Sequence, residues 1–266
     1  MNFKNKRRKT VTDVCKQLTP IVCLTAYTKP IAEIVDKLAD IILVGDSLGT
    51  VLYGFKSTRE VTSQIMINHA KSVVLNTSNA CIIVDIPYQA ICNSPDKTYK
   101  NVSEILTKSG ACAVKLEGGE NMSSTIKYLV KKKINVMGHV GMLPQSILKS
   151  KDYKVYGRTY EEKNQIFKDL KIIQDSGVFA VVIEATLESL VRKAIKKINI
   201  PTIGIGASKF CSGQIMVTED LIGLTNFKAK FVKNYCNISS EILKGLETYK
   251  KEVKTNKFPS SKYWYK

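Results

Sequence analysis

Five short apolar runs in this sequence end in side chains able to do chemistry. "LVGDS" closes on Asp46 and Ser47, "IIVDIP" carries Asp85, "AVKLEGG" carries Lys115 and Glu117, "INVMGHVG" reaches His139, and "AVVIEA" ends near Glu184. Lys115 and Glu117 are two apart, which on a strand places both on one face. Each group alone has an ordinary explanation. An Asp after a strand commonly caps a helix or turn. A Lys in an apolar run can carry its amine out to solvent, and one His can be a satisfied core residue. The set together is harder to explain, because buried carboxylates without partners lose hydration that nothing returns. A divalent cation and one lysine would offset that repulsion.

The chain has only two histidines, His69 and His139, and no C-x-x-C, which argues against a closed zinc site. Carboxylates and water suit Mg²⁺, with Mn²⁺ or Co²⁺ as alternatives. Mg²⁺ keeps positions open for substrate oxygens, and an α-keto acid fills two of them. The metal then acts as a Lewis acid on the adjacent C–H. Glu184, one run further along, is the candidate base for that proton.

The first of these runs also offers a rival. Gly45-Asp46-Ser47-Leu48-Gly49 fits G-x-S-x-G, the nucleophile elbow of serine hydrolases, and "GDSL" spells the signature of a serine esterase family. The order Ser47, Asp85, His139 follows the hydrolase order. Against it, an elbow leads directly into a helix, whereas "TVLYGFKST" is β-rich and interrupted by Gly54. No D-x-x-H occurs, and Lys115, Glu117 and Glu184 are left without a role. In the metal reading Ser47 donates hydrogen bonds to a substrate carboxylate, and Gly45 and Gly49 let the backbone come close. A metal-dependent keto-acid aldolase or lyase shares the same logic and stays open.

These side chains need elements to position them. Val/Ile-rich runs recur at Ile21–Tyr27, Ile41–Asp46, Ala80–Ile86, Ala113–Glu117, Ile134–His139, Ala180–Glu184 and Pro201–Gly206, with a weaker run at Gln214–Thr218. Near-continuous apolar runs are what strands buried on both faces require. Amphipathic stretches alternate with them: Lys29–Leu38, Val61–Leu75, Asp96–Lys108 (capped by Ser94 or Asp96), Met122–Lys132, Tyr160–Ser176 before Gly177, and Leu187–Lys197; Ser239–Val253 lies in the tail. No Gly-rich turn follows the first run, which disfavours a doubly wound sheet. Seven or eight β-then-α units predict one (β/α)8 TIM barrel over residues 1–266, with a short basic N-terminal segment and a helical C-terminal tail.

The 266 residues carry 41 basic and 23 acidic side chains, a net charge of +18. The basic residues are mostly Lys and are scattered. "NKRRK" and "KYLVKKK" lack interleaved aromatics, so the pattern fits a solvated surface better than a nucleic-acid footprint. Seven cysteines, an odd number, are consistent with reduced thiols in a cytoplasmic setting. No apolar run is long enough to span a bilayer. Asp13, Lys16 and Gln17 break up the stretch after the basic start, which argues against a secretory signal.

The segments "LTAY", "LVGDSLG", "STREVT", "VDIPY", "VKLEGG", "GHVGMLPQS", "YKVYGR", "VIEA", "PTIGIGA" and "GQIMV" resemble, in order and spacing, the ketopantoate hydroxymethyltransferase family. The resemblance spans about Leu24 to Tyr235. It implies transfer of a hydroxymethyl group from 5,10-methylenetetrahydrofolate to 3-methyl-2-oxobutanoate through a Mg²⁺-stabilised enolate, giving ketopantoate for pantothenate biosynthesis. It also implies a homodecamer. By the same resemblance Asp46, Asp85 and Glu117 are metal residues, with Glu117 acting through water. Asp46, Ser47, Asp85 and Lys115 hold the keto acid, Glu184 is the base, and His139 matches an active-site position. The chain departs from the family pattern at Phe55, Thr28 and Ser208, and lacks a Pro before the Lys-Phe pair of "NFKAKFVKNY". These departures bear on folate contacts and loop geometry rather than on the acids.

Overall fold

The computed structural model describes residues 7–147 and 153–265. The first residues of "NKRRK" therefore lie outside the described part. The chain divides into two compact units, 1–217 and 218–266.

In the first unit eight parallel strands form a closed barrel in sequence order: β1 (Ile21–Thr25), β2 (Ile41–Val44), β3 (Cys81–Asp85), β4 (Ala113–Glu117), β5 (Val136–Gly141), β6 (Ala180–Glu184), β7 (Thr202–Ile205) and β8 (Gly213–Met216), which pairs back onto β1. This is the expected TIM barrel. The helices are α1 (Val11–Cys15), α2 (Lys29–Val35), α3 (Leu48–Val51), α4 (Ser63–Leu75), α5 (Pro95–Ser109), α6 (Ser123–Lys131), α7 (Tyr160–Asp175) and α8 (Glu188–Ala194). A loop without a helix joins β7 to β8.

Strand alternation sorts the side chains into two cores. Ile42, Val44, Ile82, Val84, Val114, Leu116, Val181 and Ile183 point outward and pack with the helices. Ile41, Leu43, Cys81, Ile83, Ala113, Met137, Ala180 and Val182 fill the interior. The interior columns are apolar at the N-terminal end of the strands. Continued by twos they run to Asp85 on β3, Lys115 and Glu117 on β4, His139 on β5 and Glu184 on β6. The same alternation that builds the core thus delivers the ionisable groups to the C-terminal rim, where barrels keep their chemistry.

Helix ends follow local rules. Thr159 and Glu162 form a reciprocal capping box at the start of α7, and Gly177, at φ +93°, follows its end. Ser94 occupies the cap position of α5 without a side-chain capping bond; Pro95 in the first turn starts that helix, and Asp96 instead accepts from the Tyr128 hydroxyl.

Helix α1 is not evident in the apolar pattern. A Thr10–Asp13 capping box nucleates it, and it inserts the fully buried Val14 into the interior cluster at the N-terminal mouth. Arg8 and Lys9 tether that end. The Arg8 guanidinium donates to the carbonyls of Val74 and Thr77, the Lys9 N–H donates to Asn79 O at 2.8 Å, and the Lys9 amine pairs with Asp40.

The second unit contains α9 (Thr218–Leu221) and α10 (Ile238–Lys254). Along α10, Ile242, Leu243, Leu246, Tyr249 and Val253 are exposed. Among the described residues no helix is long and apolar enough to cross a membrane.

Candidate active site

The rim of β2 to β6 gathers every acid–base residue expected from the sequence. The Asp46 N–H donates to Asp85 Oδ2 at 3.1 Å. Lys115 Nζ lies 3.1 Å from Asp85 Oδ1, 3.9 Å from Glu117 Oε1 and 3.2 Å from His139 Nδ1. His139 Nδ1 is 3.5 Å from Glu117 Oε1, and its Nε2 is 3.1 Å from Glu184 Oε2. The contacts run unbroken from Asp46 to Glu184. All are buried except Glu184, whose side chain keeps 12% of its exposure, the most of the series.

Backbone geometry fixes the far end of this line. Gly141 closes β5 at φ +91°, and a Cβ there would lie 2.2 Å from the Glu184 carbonyl. Ala185, directly after Glu184, sits at φ +43°, a left-handed conformation costing a non-glycine residue about 1–2 kcal/mol. Strain of this kind collects at functional positions.

The charges are mutually dependent. Burial raises the Asp46 carboxyl well above its ordinary value, and Asp85 and Glu117 add to that; Lys115 and the Gln145 amide oppose it. Asp85 is also raised by burial, against the pull of Lys115. Burial works against the Lys115 ammonium, but Asp85, Glu117 and Asp46 outweigh it and its pKa rises. Glu117 is lowered despite burial, through His139 and Lys115. His139 is raised: burial and Lys115 oppose its charge, and the Glu117 and Glu184 carboxylates on either side of its ring prevail.

Three buried acids share one lysine here, and two of their oxygens, Asp85 Oδ1 and Glu117 Oε1, have no hydrogen-bond donor. Lys115 is at ion-pairing distance from both but outside hydrogen-bond geometry. Buried unsatisfied oxygens call for an explanation, and a cation supplies one. Among the described residues no three His, Cys, Asp or Glu side chains close into a ready-made cage. The donor set therefore fits a hard cation held by one or two carboxylates, with water and substrate completing its shell, as Mg²⁺ prefers.

Ser47 begins α3, so a helix does follow it, contrary to the expectation from "TVLYGFKST". That argument against a nucleophile elbow fails. A different one replaces it. Ser47 Oγ lies 2.8 Å from the Tyr27 hydroxyl, while both nitrogens of His139 face Lys115, Glu117 and Glu184. His69 sits between the Tyr27 carbonyl and the Tyr53 hydroxyl. Gly45 abuts the site, since a Cβ there would meet Ser47 Oγ at 2.9 Å and Asp85 Oδ2 at 3.4 Å. Gly49 does not; its Cβ would strike Val61 and Phe55, so that glycine serves packing. Thr28 starts α2 without a capping bond, and Ser208 donates to Glu188.

Two residues of the site were not singled out in the sequence. Gln145, in the turn Pro144–Ser146 after β5, is buried and donates to Asp46 and Glu117. Tyr153 has its hydroxyl pKa raised by burial and by the nearby Glu184, Asp46 and Glu117 carboxylates. Both lie in quoted segments, but a Gln after Pro and a Tyr before Lys carry no signal of their own.

A sequence model described as ketopantoate hydroxymethyltransferase matches residues 6–261. The chain belongs to the ketopantoate hydroxymethyltransferase family. Curated 3-methyl-2-oxobutanoate hydroxymethyltransferases agree: that of Pelagibacter ubique is 44% identical over 265 residues, 100% of this chain and 98% of the relative, and that of Rhizobium rhizogenes is 42% identical over 262 residues, 97% and 96%. The protein is accordingly a hydroxymethyltransferase acting on 3-methyl-2-oxobutanoate. Solved structures share the fold at low identity. Phosphoenolpyruvate phosphomutase of Streptomyces platensis subsp. rosaceus superposes with a TM-score of 0.59 at 10% identity, covering 90% of this chain and 85% of that one. Phosphonopyruvate hydrolase, in complex with oxalate and Mg²⁺, has a TM-score of 0.59 at 11% identity, covering 91% and 88%. The ionisable line from Asp46 to Glu184 lies at the C-terminal rim, the end of the barrel where enzymes of this fold build their sites.

Proposed function

We propose that this hydroxymethyltransferase takes its one-carbon unit from 5,10-methylenetetrahydrofolate and requires Mg²⁺, with Asp46 and Asp85 holding the metal and Glu117 acting through water. The metal, when bound, supplies Lewis acidity to the keto acid. The orphaned oxygens of Asp85 and Glu117 support this assignment. The solved Mg²⁺–oxalate complex of a protein sharing the fold adds a precedent for such chemistry on this scaffold.

The chain's own residues divide the work. Ser47, at the start of α3, offers its N–H and hydroxyl to the substrate carboxylate, beside Asp46 and Asp85. Lys115 balances negative charge on the keto acid's oxygens. Glu184 removes the C3 proton, and His139 holds the Glu184 carboxylate in place. The resulting carbanion attacks the methylene carbon of the ring-opened folate, whose C=N electron pair moves to nitrogen. Water then replaces that nitrogen on the methylene carbon, so the hydroxyl oxygen comes from water and tetrahydrofolate leaves with the proton. The carrying observation is Glu184 itself: the most open of the acids and 3.1 Å from a histidine tied to the rest of the line.

Glu184→Gln keeps a hydrogen-bonding side chain and removes the base. Exchange of the C3 proton of 3-methyl-2-oxobutanoate with deuterated solvent should drop at least about 10²-fold, with substrate and metal still bound. Exchange at the unaltered rate would reject this role. Ketopantoate formation that needs both folate and Mg²⁺ separates this reading from a folate-independent aldolase or lyase.

Residues 1–266 then act as one cytoplasmic catalytic chain, without nucleic-acid or membrane partners. Homodecamer formation, which rests on the family resemblance, is part of the same proposal, and sedimentation of the full chain tests it.

A further inference from the structure

Gln145 inserts a neutral amide among the buried acids, and three hydrogen bonds from its side chain and backbone reach three different strand ends. Nε2 donates to Asp46 Oδ2 at 2.8 Å and to the Ile86 carbonyl at 2.9 Å, and the backbone N–H donates to Glu117 Oε2 at 3.0 Å. Asp46 follows β2, Ile86 follows β3 and Glu117 ends β4. We propose that Gln145 is a positioning residue for the cation site: it holds one oxygen of Asp46 and one of Glu117, fixing how these two carboxylates face a divalent cation and its water. This inference rests on the metal reading above.

Three physical points support it. First, the amide has one workable orientation. Both of its acceptors, a carboxylate and a carbonyl, require N–H, so both Nε2 hydrogens are committed and the side chain cannot flip. Second, the donor is neutral. A Lys or Arg in this place would neutralise Asp46 and compete with a cation, whereas an amide fixes the carboxylate and leaves its charge. Third, the division of oxygens is visible on Glu117. Its Oε2 is held by the Gln145 N–H, while Oε1 is a buried atom without a donor. Partners that orient ligating carboxylates typically change metal affinity about 10–100-fold when removed.

The test uses the full chain, with Mn²⁺ as the probe and its binding followed by electron paramagnetic resonance. Gln145→Met keeps the side-chain volume and the backbone donor to Glu117 but removes both amide hydrogens. Mn²⁺ affinity should fall about 10–100-fold, and C3-proton exchange in the variant should recover toward the normal rate as Mg²⁺ is raised. A structural role alone would lower the melting temperature without moving metal affinity or giving recovery by metal. Gln145→Asn, one methylene shorter, retains donors out of reach of Asp46 and provides the same readout if the Met variant misfolds. Mn²⁺ affinity within twofold of the unaltered chain, in whichever variant folds, overturns the proposal. Failure of the unaltered chain to bind Mn²⁺ overturns the metal reading and this proposal together.

Discussion

Lys115 is the counterweight of the site. It is buried on β4 between Asp85 and Glu117, and no other Lys or Arg among the described residues pairs with these acids. Lys115→Met would fill the space and remove the charge, leaving Asp85 buried without a cationic partner and Glu117 with His139 alone. Removing one partner of a buried pair typically costs about 3–5 kcal/mol, because the remaining charge stays desolvated. Urea unfolding should show a loss of that size, and a loss under about 1 kcal/mol would mean that water already compensates these acids. The seven candidate residues from Asp46 to Glu184 were legible as polar types at strand ends, and the structure brings them to one rim. Gln145 was not, because its importance lies in which three acceptors it reaches, and these come from strands distant in sequence.

At the level of elements, the alternation of residues on β3 to β6 specified both the apolar interior and the charged rim, which is why those strands could be placed from pattern alone. Short elements were less legible. Helix α3 has four residues, too few for a period, and the β-rich letters of "TVLY" mask it. Helix α1 depends on its capping box and on one buried Val. The capping box of α7 offers a measurable handle. Hydrogen bonds from Lys154 and from the Arg158 N–H lower the Glu162 carboxyl from 4.5 to about 2. A depressed folded-state pKa stabilises the protein above the unfolded value and loses that contribution as pH falls. The contribution of Glu162 is therefore complete above pH 4.5 and disappears between there and about pH 2. Thermal melts of Glu162→Gln should differ from those of the unaltered chain near neutral pH, and the difference should shrink through that window. A difference that stays constant with pH would assign the effect to packing.

For the whole molecule, +18 is a large charge for a protein whose two proposed substrates are anions. A field of this sign raises the local concentration of anions and is screened by salt. The Debye length shrinks from about 30 Å at 0.01 M to about 8 Å at 0.15 M ionic strength. KM for both substrates should rise several-fold over that range while kcat stays level. A flat KM would leave the lysines as a solubility feature only. The N-terminal end of the barrel has a practical consequence of its own. Arg8 and Lys9 staple the chain start to the end of α4 and the turn before β3, and neither contacts the ionisable groups at the C-terminal rim. A preparation trimmed by protease or subcloned to start at Thr10 should keep its Michaelis constants and melt several degrees earlier. Shelf life, rather than turnover, is what those two residues protect.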